Sequence, residues 1–109
     1  MIDASPFTAL GLSRPVVTAL VHENYLEPTP IQSAVIPALL GGRDVLACAQ
    51  TGTGKTAAFV LPMLEQLVKS RSNGRIRALV LTPTRELAAQ IAERASAYGR
   101  NLPLRNVVI

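Results

Sequence analysis

Between positions 44 and 70 an apolar run, "DVLACA", passes without a spacer into the glycine-rich "QTGTGKT". A segment follows in which Val60, Met63, Leu64, Leu67 and Val68 keep a helical period. Five apolar residues after Asp44, bounded by turn signals, suit a strand buried on both faces. The order strand, loop, helix recurs: "RALVLT" (77–82) reads as a strand and Thr84 as a cap. Leu87, Ile91, Ala95 and Tyr98 then share one helix face, with Glu86, Gln90, Glu93 and Arg94 turned away and Gly99 ending the helix. "LRNVVI" (104–109) begins a third strand. Two such passes predict an α/β fold with a parallel sheet and right-handed crossovers, in which ligands sit at the carboxyl ends of the strands. The glycine loop after Ala49 and "PTR" after Thr82 both fall at those ends.

The loop spans Ala49, Gln50, Thr51, Gly52, Thr53, Gly54, Lys55 and Thr56. This is the spacing of a phosphate-binding loop, with Ala49 where the strict pattern begins on glycine. Gly52 and Gly54 let successive backbone N–H groups turn into one concavity, and the helix starting near Lys55 adds free N–H groups and a positive dipole end. Lys55 is then placed to reach terminal phosphates, and the Thr56 hydroxyl to ligate the Mg²⁺ that screens them.

Upstream, residues 1–43 read as a leading segment with two helices, and 44–109 as a partial nucleotide-binding core within the same domain. Ser13 and Pro15 start one helix, with Val16, Val17, Leu20 and Val21 at helical spacing up to Glu23. Thr29 and Pro30 start a second, which Pro37 should kink and Gly41 and Gly42 should end. Gln32 lies at its start. A glutamine amide can pair with N6 and N7 of adenine, which guanine does not offer. Spacing alone leaves Gln32 between that role and a solvated side chain.

The net charge of +4 arises from eleven Lys and Arg against seven Asp and Glu, nine of the basic residues being Arg. That balance suits a polyanionic partner and equally suits none. Cys48 is the one cysteine and His22 the one histidine, so a disulfide within the chain and a Cys/His metal cluster are both excluded. Cys48 reads as a buried core residue, His22 as a surface helix end, and Arg71, Arg75 and Arg77 as a solvated loop. The start shows no signal core, and the longest apolar stretch, 57–64, falls short of a membrane span. A cytoplasmic location is expected.

"NYLEPTPIQ" (24–32), "AQTGTGKT" (49–56) and "PTRELA" (83–88) resemble, in order and spacing, the Q motif, Walker A motif and motif Ia of DEAD-box ATP-dependent RNA helicases. Phe7 stands where that family has its isolated upstream aromatic, and the flanking sequence looks most like the bacterial RhlE-like branch. The resemblance implies a RecA-like three-layer sandwich of which the chain supplies the first three strands and their helices. It implies that ATP and Mg²⁺ are cofactors, that Gln32 hydrogen-bonds adenine, that Phe7 stacks on it, and that Tyr25 and Thr29 shape the pocket. Pro83, Thr84 and Arg85 would face the RNA sugar-phosphate backbone, with little sequence preference. Asn24 replaces the family's usual glycine, a position where asparagine tolerates left-handed backbone.

The resemblance further implies that the DEAD (Walker B) and SAT motifs, a second RNA-gripping motif and a second RecA-like domain lie beyond position 109. Asp3, Asp44 and the glutamates are wrongly placed to substitute for the Walker B carboxylate that hydrolysis needs. The chain alone is therefore expected to dock ATP without hydrolysing it. The residues by themselves leave two other readings open: another P-loop NTPase, and a truncated, non-catalytic ATP-binding module.

Overall fold

A computed structural model describes residues 5–49, 54–70 and 73–109. A 3-10 turn at Thr8–Leu10 precedes four helices, α1 (Arg14–His22), α2 (Pro30–Leu40), α3 (Lys55–Lys69) and α4 (Arg85–Tyr98). All four lie where the spacing and end signals of the sequence predict them. Pro30 occupies the first turn of α2, where its missing N–H costs nothing. Pro37 and Pro62 sit inside α2 and α3, which run through both. α2 packs along α3, α3 touches α4, and α4 touches α1.

The core is mainly aliphatic. Val16, Val17 and Leu20 of α1, Ile36 of α2, Val60, Leu61 and Leu64 of α3, and Ile91, Ala95 and Tyr98 of α4 form one buried cluster with Phe7 and Leu12. Two tertiary hydrogen bonds hold α1 on α3: the buried Glu65 carboxylate accepts from Ser13 N at 2.6 Å and from Ser13 Oγ at 2.6 Å. Ser13 is thus the N-cap residue of α1 by position, while its hydroxyl bonds a residue of α3 instead of the helix's own backbone.

No β-strand forms among the described residues. The strands expected at 44–49, 77–82 and 104–109 are not formed among these residues, and the burial expected at 44–49 and 77–82 is corrected: both segments are largely exposed. Leu46 is 97% exposed and Leu81 84%, while their neighbours Val45 and Val80 are each 38% exposed. Exposure therefore alternates with the two-residue period of a strand, one face partly covered and the other open. Ladder bonds and burial on both faces require partners on both edges and both sides. Cys48 is correspondingly exposed, not part of the core.

Arg77 is not a solvated loop residue either. Its Nη1 donates to Leu67 O (2.9 Å), Ser70 O (3.2 Å) and Ser70 Oγ (2.8 Å), meeting the free carbonyls at the end of α3. Arg71 lies outside the described residues. No helix among those described is long and apolar enough to cross a membrane.

Candidate functional site

The start of α2 and the start of α3 meet at one residue pair. Thr29 caps α2 by accepting from Gln32 N (3.4 Å), and Gln32 Oε1 accepts in return from Thr29 N (3.0 Å), a reciprocal capping box. The same glutamine then reaches across the fold: its Nε2 donates to Gly54 O at 3.1 Å. Gln32 is 1% exposed, so the solvated reading is excluded. By inventory one Oε1 lone pair and one Nε2 hydrogen remain for a further partner.

Gly54 is where the fit is tightest. Its φ of 85° lies in the left-handed region, and a Cβ there would collide with Gln32 Nε2 and lie 2.9 Å from Thr29 Oγ1. α3 begins at the next residue with no side chain capping it, so its first N–H groups are open to an acceptor. Lys55 is exposed and Thr56 half-buried at that end. A glycine held left-handed ahead of an uncapped helix start, followed by Lys and Thr, fits a triphosphate with its metal ion. Gln50, Thr51, Gly52 and Thr53 lie outside the described residues; Ala49 is half-buried just before them.

Phe7 and Tyr25 are placed differently from one another. Phe7 is 1% exposed within the core cluster, so a base reaches its ring only after a rearrangement. Tyr25 is half-buried and meets Tyr98 edge to face, ring centroids 5.9 Å apart. At the other expected contact surface, Thr84 caps α4 by accepting from Leu87 N at 3.1 Å, and its backbone oxygen accepts from Thr82 Oγ1 at 2.8 Å. Pro83, Thr84 and Arg85 are all exposed there, and Arg85 opens α4.

Arg94 corrects the expected outward face of α4. Its Nη2 donates to Glu23 Oε1 at 2.6 Å, and its guanidinium carbon lies 5.1 Å from the Tyr98 ring centre. Periodicity did not mark this pair, because the partner is 71 residues away and only the packing of α1 on α4 joins them. Arg94 holds the Glu23 carboxyl below the usual glutamate value, chiefly through this hydrogen bond. Burial and the neighbouring Tyr25 push the Tyr98 phenol above the usual tyrosine range.

Because the folded Glu23 value is depressed, the pair stabilises the fold above the unfolded glutamate value and is lost as pH falls through the folded one. The thermal midpoint is expected to decline as pH falls below about 4.3, the ordinary glutamate value. Glu23→Gln should remove that component of the acid-side decline; circular dichroism melts at stepped pH check it, and an unchanged pH profile in the variant would refute the assignment.

Residues 29–109 match the DEAD/DEAH box helicase family. The chain is 45% identical over 106 residues to the ATP-dependent RNA helicase dbp10 of Schizosaccharomyces pombe, covering 97% of this chain and 12% of that protein. It is 52% identical over 103 residues to the probable ATP-dependent RNA helicase DDX49 of Homo sapiens, covering 94% and 21%. The chain therefore spans only 12% to 21% of the length of these relatives. Among solved structures it resembles the RNA helicase Prp28 from Chaetomium thermophilum bound to ADP, with TM-score 0.82, 42% identity and coverage of 90% of this chain and 24% of that one. It also resembles S. cerevisiae Dbp5 bound to RNA and ADP BeF3, with TM-score 0.80, 35% identity and coverage of 90% and 25%. The fold is thus of the RecA-like P-loop kind that these helicases share.

Proposed function

The chain belongs to the DEAD/DEAH box helicase family, and on that premise we propose that it supplies ATP docking and part of the RNA-backbone surface of an ATP-dependent RNA helicase. The observation that carries the reading is the hydrogen bond from Gln32 Nε2 to Gly54 O. It joins the segment suited to read a base to the loop suited to hold phosphates, so one nucleotide can engage both.

In this reading Lys55 holds the terminal phosphates as a point charge and the Thr56 hydroxyl holds Mg²⁺. The backbone from Ala49 through Gln50, Thr51, Gly52, Thr53 and Gly54 wraps the phosphate chain. Gln32 reads adenine, with Tyr25 and Thr29 beside it and Phe7 stacking after release from the core. Pro83, Thr84 and Arg85 bind the backbone of single-stranded or duplex RNA, an assignment supported by their shared exposure at the start of α4. When bound, ATP supplies the free energy that drives RNA remodelling.

Residues 1–43 and 44–109 act as parts of one domain in this proposal, and the three apolar segments pair as a parallel sheet. The alternating exposure along those segments supports the pairing. Hydrolysis would draw on Walker B carboxylates and a second RecA-like domain outside these residues. A cytoplasmic location belongs to the same reading.

Titration with a fluorescent adenine nucleotide, with and without Mg²⁺, tests it. Lys55→Ala should weaken binding about 10- to 100-fold, the loss of one or two charge-assisted hydrogen bonds. Gln32→Ala should cost ATP about 1–3 kcal/mol more than it costs GTP. Equal losses for the two nucleotides, or no saturable binding by the unaltered chain, would overturn the reading.

A further inference from the structure

The turn that leads from α1 to α2 is gripped by the far end of α4. Asn24 takes a φ of 64° and Tyr25 N donates to Leu20 O at 2.8 Å, so the chain leaves α1 through a left-handed residue. On one side of that residue Glu23 is held by Arg94; Arg100 Nη1 lies 4.0 Å from the same carboxylate and also meets His22 Nδ1. On the other side the Tyr25 ring rests against Tyr98, which is 2% exposed within the core cluster. Arg94 serves both grips at once, bonded to Glu23 and stacked on Tyr98. Its Nε is buried and without a hydrogen-bond partner, so the placement leaves one donor unmet.

We infer that Arg94 and Tyr98 are positioning residues for nucleotide recognition, acting through Glu23 and Tyr25 to fix where the turn delivers Thr29 and Gln32 against Gly54. The inference rests on the adenine reading proposed above. The turn has no helix or strand of its own, and Gln32 lies only three residues into α2. With the grip released, the turn samples other conformations, and a bound base must order it again at an entropic cost. Phosphate contacts belong to the start of α3 and do not carry that cost. Base affinity and phosphate affinity should therefore separate when the grip is cut.

The experiment compares ATP, GTP and inorganic tripolyphosphate, each with Mg²⁺, on the complete chain, alongside thermal melts. Arg94→Met should weaken ATP by about three- to tenfold, the scale of ordering one or two side chains. It should shrink the ratio of ATP to GTP affinity and leave tripolyphosphate unchanged, while Arg94→Lys restores most of the ATP affinity. If Arg94→Met does not fold, Glu23→Gln, at the helix end, decides by the same comparison. A ratio that stays at its unaltered value, or equal losses for ATP and tripolyphosphate, would overturn the inference while leaving the adenine reading in place. An unaltered chain that binds ATP and GTP equally would remove the adenine reading first, and this inference with it.

Discussion

Gly54→Ala should lower the stability of the chain by about 2–4 kcal/mol, from left-handed strain and overpacking together, and weaken nucleotide binding by about a hundredfold or more, equivalent to roughly 2.7 kcal/mol. Two independent effects converge on this one methyl group. Alanine must adopt a φ of 85°, a conformation in which its Cβ crowds its own carbonyl. The same Cβ would enter the space of Gln32 Nε2 and Thr29 Oγ1, side chains fixed by their capping box. Neither is the loose end of a flexible chain, so relief requires breaking the box or moving the start of α3. Either change displaces the N–H groups on which the proposed phosphate binding relies. Urea denaturation and nucleotide titration measure the two losses separately. A variant with unaltered stability and affinity would show that Gln32 and Gly54 do not pack together in solution.

Glu65→Ala should cost about 2–3 kcal/mol, the value of hydrogen bonds to a charged acceptor whose donors are left behind, and lower the melting temperature by about 10 °C or more for a domain of this size. The carboxylate is the partner of both Ser13 N and Ser13 Oγ, each at 2.6 Å, and is 2% exposed. Its removal leaves the start of α1 without that cap and opens a gap beside α3. Glu65→Gln should fall between the two, because an amide oxygen still accepts but carries no charge. Nucleotide affinity per folded molecule should stay as it was, since Glu65 lies ten residues down α3 from Lys55. An alanine variant that melts with the unaltered chain would refute this tertiary cap.

Helices were legible in these residues because each carries its own instructions. Thr29 with Gln32 three residues on is a capping box in sequence and in space. Pro30, Thr84 and Gly99 mark ends that the fold respects. The faces of α1 and α4 were also readable, since burial of Val16, Leu20, Ile91 and Tyr98 follows helical spacing. The three apolar segments were readable only as far as their period. Alternating exposure survives at Val45 and Leu46 and at Val80 and Leu81, but pairing depends on neighbours that a period cannot supply.

By itself the sequence determined where the helices begin and end, which residues are proposed to hold phosphates, and that Gln32 stands at a helix start. Those are local facts, set by backbone preferences and by spacings of three or four residues. Tertiary structure alone decided that Gln32 turns inward onto Gly54, 22 residues away, that Glu65 caps α1, 52 residues away, and that Arg94 leaves its polar face to bind Glu23. A hydrogen bond across such separations follows from how helices dock on a shared core, and docking angle and register are not encoded in any one segment.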